Sequence, residues 1–116
     1  MLGYIAGAAF WGLAKSSLTG ARRTPHALLG FGFAELMEEV EFRAGIEHVG
    51  LRGFGGLSPG VSRLASSALF GLAHPGAELD AALGGVLYSM AYEKWGLLGS
   101  TLTHLGHNLG VYLGGQ

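Results

Sequence analysis

The sequence predicts an all-α, polytopic membrane helix bundle of about five helices. Hydrophobic residues fill 49% of its 116 positions and charged residues only 13%, about half the charge of an ordinary soluble domain. Positions 1–14, 64–77 and 95–116 carry no Asp, Glu, Lys or Arg. The last run matches the roughly 20 residues that cross a bilayer core. The two shorter runs reach that length if the flanking Lys15 or Arg63 snorkels toward the headgroups. Gly106, Gly110 and Gly114 on one segment, and Gly3 and Gly7 on another, recur every fourth residue. Such small-residue ridges let helix backbones approach closely in lipid.

The first helix is expected from Leu2 to Leu18, stopping before Thr19-Gly20, with Arg22 and Arg23 beyond it as interfacial charges. Its apolar residues precede Lys15, the reverse of a secretion signal's order, so it is expected to be retained. Pro25 suits the first turn of a second helix, Pro25 to His48. Gly53, Gly55, Gly56 and Ser58-Pro59 predict a loop or re-entrant connection over Gly50 to Gly60. A third helix follows from Pro59 to Ala73 and ends at His74-Pro75-Gly76, because a residue before proline is driven out of the helical region. The fourth spans Glu78 to Trp95, and Gly96 divides it from the fifth, Leu97 to Leu113. Together they are expected to form one membrane-embedded domain over 1–116, with a leading helix in 1–24 and a region 25–114 that holds every chemical motif.

Several function classes drop out. A net charge of −1 with no basic stripe leaves no nucleic-acid partner. The absence of cysteine removes disulfides, thiolate metal sites and cysteine nucleophiles together. Gly53-Phe54-Gly55-Gly56 lacks the lysine and hydroxyl of a phosphate loop.

What remains are three polar islands: Glu38-Glu39 with Arg43, Phe70 with His74, and His104 with Asn108. Ionisable side chains inside an apolar bundle are costly and mark functional sites. Glu38 and Glu39 diverge on a helix at about 100° per residue, so they can hold different jobs. Arg43 lies four residues after Glu39, the spacing of an ion pair along a helix. Glu38 is left without a local partner, and such a carboxylate can take and return a proton. His104 and Asn108 share a face, with His107 beside them. One Glu and two His can bind zinc with an open fourth position; equally, they can manage protons around a water while Asn108 donates to an oxyanion. Phe70 falls on the His74 face, where its ring can wall the site or simply pack. The bland alternative is an amphipathic helix with Glu35, Glu38, Glu39, Glu41 and Glu47 in solvent and the histidines as hydrogen-bonded core residues.

Glu38-Glu39-Val40-Glu41-Phe42-Arg43, Phe70-Gly71-Leu72-Ala73-His74 and His104-Leu105-Gly106-His107-Asn108, in this order and separation, resemble the three motifs of the CPBP family. That family comprises intramembrane proteases and includes the CAAX prenyl endopeptidases and bacteriocin-processing or self-immunity proteins. Gly84-Gly85-Val86-Leu87-Tyr88 through Trp95-Gly96 also resembles the family's helix before the last motif, so the similarity covers Pro25 to Gly114. The resemblance implies a multi-pass integral membrane endopeptidase acting on a hydrophobic or lipidated substrate, CAAX-type or similar, among membrane lipid. It implies Glu38 as the water-activating glutamate, His74 and His104 as its partners, and Asn108 as a stabiliser of the tetrahedral intermediate. Glu39 and Arg43 would be a supporting pair, and Phe70 a supporting ring. Cofactor use stays open between none and a zinc held by Glu38, His74 and His104.

Two positions depart from the family pattern. Glu41 stands where an apolar residue is usual and is expected to compete for Arg43 or to face a polar interior; Ala44 replaces a glycine. Family members are usually longer, with more membrane helices than five, so the expected unit is either a fragment or a minimal core. Two other readings stay beside the protease: a catalytically silent scaffold or immunity protein of the same family, and a proton- or metal-ion-binding bundle of a carrier.

Overall fold

A computed structural model describes residues 1–19 and 32–114, and every secondary-structure element in them is helical. Helix α1 runs Leu2–Thr19. Helix α2, Phe33–Glu39, passes without a break into a π-helical segment, Val40–Phe54. Helix α3 is Pro59–Leu72 and α4 is Glu78–Gly114. The expected start at Pro25, with Arg22, Arg23 and His26, lies outside the described residues. The connection expected over Gly50 to Gly60 is a correction: helix continues to Phe54, and only the four residues before Pro59 are open chain. Glycine permits a loop but does not compel one when neighbouring side chains gain by staying helical.

The π segment aligns charge. In an α-helix, residues four apart drift by about 40°, so four such positions fan over about 120°. The wider π turn winds back the other way. Glu35, Glu39, Arg43 and Glu47 therefore stay in one row, and all four are buried. The solvated-helix alternative is overturned for Glu35, Glu39 and Glu47; Glu41 is exposed and leaves Arg43 to other partners.

Helix α3 answers with a row at the same spacing. Ser58 caps it, its side chain accepting from the Val61 N–H at 3.2 Å with Pro59 in the first turn. Ser62, Ser66 and Phe70 follow along one buried face, and His74 ends it. The two rows run antiparallel: Ser66 meets Glu47, Phe70 meets Arg43 and His74 meets Glu38.

Helix α4 reverses direction at Gly96, whose φ of 70° and ψ of −158° suit glycine alone. The rings of Tyr88 and His104, 16 positions apart, stack 4.5 Å apart, where a straight helix would separate them by about 24 Å. The two arms, 78–95 and 97–114, are thus the fourth and fifth helices expected from sequence. Helix α1 lies against the second arm through its glycine ridge. A β-carbon on Gly110 would strike the Ala9 carbonyl, and one on Gly114 the Leu13 carbonyl and the Ser16 hydroxyl. Gly3 and Gly7, expected to be a second ridge, have nothing packed on them among the described residues; Gly12 takes that part, lying against the His107 carbonyl.

Apolar and polar residues have traded places. Among the described residues the buried hydrophobic side chains are Ala8, Phe70, Tyr88, Ala91 and Val111, while the interior holds the charged row and serines at 16, 62, 66, 67, 89 and 100. Leu2, Phe10, Leu18, Phe33, Phe54 and Leu72 stand outside. No helix among the described residues is long and apolar enough to cross a membrane. The charge-free arm 97–114 explains why the expectation of spanning helices is unmet: it carries Ser100, Thr101, Thr103, His104, His107 and Asn108 besides its glycines. Freedom from charge is not hydrophobicity.

Candidate active site

The site forms where the first turns of the α2 row meet the end of α3 and the second arm of α4. Glu38 Oε2 lies 3.5 Å from His104 Nε2 and 3.9 Å from His74 Nε2. That oxygen is buried and has no hydrogen-bond partner among the described residues. The side chains of Glu38 and His74 are 40% and 35% exposed and that of His104 only 5%, so the site has an open lip and a closed floor.

Each imidazole is turned by a bond on its far nitrogen. His74 Nδ1 lies 2.7 Å from the Phe70 carbonyl. A carbonyl only accepts, so Nδ1 carries the hydrogen and Nε2 faces Glu38. His104 Nδ1 donates to Glu39 Oε2 at 2.9 Å, which likewise turns its Nε2 to Glu38. A carboxylate behind a histidine fixes the ring and its tautomer. Glu39 is held in turn: its Oε1 accepts from Arg43 Nε at 3.1 Å, with both side chains fully buried. Arg43 reaches on to Glu47 Oε1 at 3.3 Å and Ser66 Oγ at 3.2 Å, and its guanidinium carbon lies 5.2 Å from the centre of the Phe70 ring. Phe70 packs between the two histidines, 4.5 Å from the His74 ring and 5.6 Å from that of His104.

Asn108 is one turn beyond His104. Its Nδ2 donates to Glu35 Oε1 at 2.9 Å and its Oδ1 accepts from His107 Nδ1 at 3.2 Å. The structure thus brings Glu38, His74 and His104 to one point, puts Glu39, Arg43 and Phe70 behind them, and sets Asn108 on the neighbouring turn.

Sequence reasoning missed Glu35, Glu47, Tyr88 and His107. Glu47 Oε1 accepts from Ser66 at 2.8 Å and its Oε2 from Ser89 at 2.7 Å. Tyr88 lies nearly parallel to His104, with 13° between the ring planes. The four-residue interval through Glu35, Glu39, Arg43 and Glu47 was the available signal, and it reads as a buried face only once a partner face is known.

One carboxylate oxygen and two imidazole nitrogens are a donor set that zinc takes. Among the described residues, however, no three His, Cys, Asp or Glu side chains are arranged to hold a metal ion.

No curated protein and no solved structure matches the chain. A protein-family model does: that of the Rce1-like type II CAAX prenyl endopeptidases, over residues 20–110. That span contains all three motifs and every residue drawn together around Glu38, and the chain belongs to the Rce1-like family of type II CAAX prenyl endopeptidases.

Proposed function

We propose that the chain is an intramembrane endopeptidase, a single catalytic core over 1–116 that hydrolyses a peptide bond of a prenylated CAAX-type or similar membrane-associated substrate. The observation that carries this is the convergence of three proton-accepting atoms, Glu38 Oε2, His74 Nε2 and His104 Nε2, at 3.5 and 3.9 Å. Acceptors so grouped call for a shared donor, and a water supplies two hydrogens. Family membership supports protease chemistry and a membrane setting, since Rce1-like proteins are integral membrane proteins. The apolar exterior around a hydroxyl- and charge-lined interior suits lipid contact.

In the reaction Glu38 takes one proton from the water as its oxygen bonds to the scissile carbonyl carbon. The carbonyl π electrons move to oxygen, and the Asn108 amide donates to that oxyanion. Collapse of the intermediate breaks the carbon–nitrogen bond, and the proton on Glu38 passes to the leaving amine. His104, fixed by Glu39, and His74, fixed by the Phe70 carbonyl, turn their Nε2 lone pairs to the water's other hydrogen and so hold the water beside Glu38.

The test is cleavage of a prenylated CAAX peptide by purified protein in detergent. Glu38→Gln is expected to remove cleavage while the far-UV spectrum stays helical. Cleavage retained by that variant overturns the mechanism, and a biological effect that survives His104→Ala overturns the protease reading in favour of a scaffold.

A further inference from the structure

Glu35 is a charged side chain that no motif requires, yet it is 2% exposed and bonded at both oxygens. Its Oε2 accepts from the Gly32 N–H at 2.7 Å, closing the first turn of α2. Its Oε1 accepts from Asn108 Nδ2 at 2.9 Å, across 73 positions of sequence. The opposite end of the Asn108 amide is held as well. Lys15 Nζ lies 2.7 Å from His107 Nε2. An ammonium only donates, so His107 Nε2 accepts and its Nδ1 carries the hydrogen given to Asn108 Oδ1.

We infer that Glu35 is a positioning residue that fixes the plane of the Asn108 amide, with the Lys15–His107 relay setting the opposite end. The inference rests on the protease reading for its kinetic consequence and on geometry alone for its structural one. An amide nitrogen carries two hydrogens in a rigid plane. Holding one on a carboxylate dictates where the second lies, and that second hydrogen serves an oxyanion. A charge-assisted acceptor makes the bond stronger than a neutral one would. Glu35 reaches no reacting atom; it acts through Asn108.

Two measurements test this. In the cleavage assay, Asn108→Ala is expected to lower kcat by about 10²–10³, and Glu35→Ala by about 10–10² through misplacement, with KM within about threefold. Added to Asn108→Ala, Glu35→Ala is expected to cost nothing further, because the group it positions is gone. A wild-type rate for Glu35→Ala, or losses that multiply in the double variant, overturns the inference and returns Glu35 to closing a helix turn. Should Glu35→Ala not fold, Glu35→Gln decides, since its amide oxygen can still accept from Asn108; a loss as large as that of Asn108→Ala overturns the inference.

The second measurement needs no activity. The Asn108 side-chain amide signal, identified by its disappearance in Asn108→Asp, is expected to exchange slowly with solvent in the wild type and in Glu35→Gln, and at the rate of an exposed amide in Glu35→Ala. Equal exchange in wild type and Glu35→Ala overturns the inference whatever the protein cleaves. A wild-type chain that cleaves nothing, with slow exchange intact, overturns only the protease reading.

Discussion

Replacing Arg43 with methionine would leave Glu39 and Glu47 as buried carboxylates without their cation. Arg43 is fully buried and spans both, at 3.1 and 3.3 Å, while donating to Ser66. Removing one partner of a buried ion pair costs about 3–5 kcal/mol. At about 4 °C or more per kcal/mol for a domain near this size, Arg43→Met is expected to lower Tm by at least about 12 °C. Arg43→Lys should fall between, because an ammonium is a point donor and cannot reproduce the fork that reaches Glu39 from Nε and Glu47 from Nη1. The triple variant Glu39→Gln, Arg43→Met, Glu47→Gln removes both stranded charges and should regain most of the loss. Unfolding followed by far-UV circular dichroism in one detergent reads all three. If Arg43→Met melts within about 2 °C of wild type, or the triple variant is no better than the single one, the burial argument is wrong.

Three other outcomes follow from local geometry. Gly110→Ala places a methyl against the Ala9 carbonyl, so α1 should lose its seat on α4 and become the first segment cut in limited proteolysis. Gly96→Ala forces a β-carbon into a backbone region open only to glycine and should cost about 1–3 kcal/mol, read as a lower Tm with the Tyr88–His104 stack loosened. Ser58→Ala deletes the cap of α3 and should cost about 1 kcal/mol, with cleavage retained because Ser58 caps the end of α3 opposite to His74.

The breaks were the most legible part of the fold. Ser58-Pro59 starts a helix, His74-Pro75 ends one and Gly96 divides another, because backbone dihedral limits act within a few residues. The Glu39–Arg43 pair was legible for the same reason, being one helical turn. The second helix was misjudged at its end, where Gly50, Gly53 and Gly55 suggested a loop and the chain stays helical to Phe54.

The sequence by itself determined that the chain is helical and where most of its helices stop, since both follow from spacing along a few turns, and it singled out Glu38, His74 and His104, which the fold brings together. Tertiary structure alone decided which faces are interior and what they touch. His104 meets Glu39 across 65 positions and Asn108 meets Glu35 across 73. Periodicity shows that Glu35, Glu39, Arg43 and Glu47 share a face, but the sign of that face depends on the serines of α3 and the folding back of α4 at Gly96. Charges that would lie in solvent on an isolated helix become the frame of the site because partners distant in sequence satisfy them.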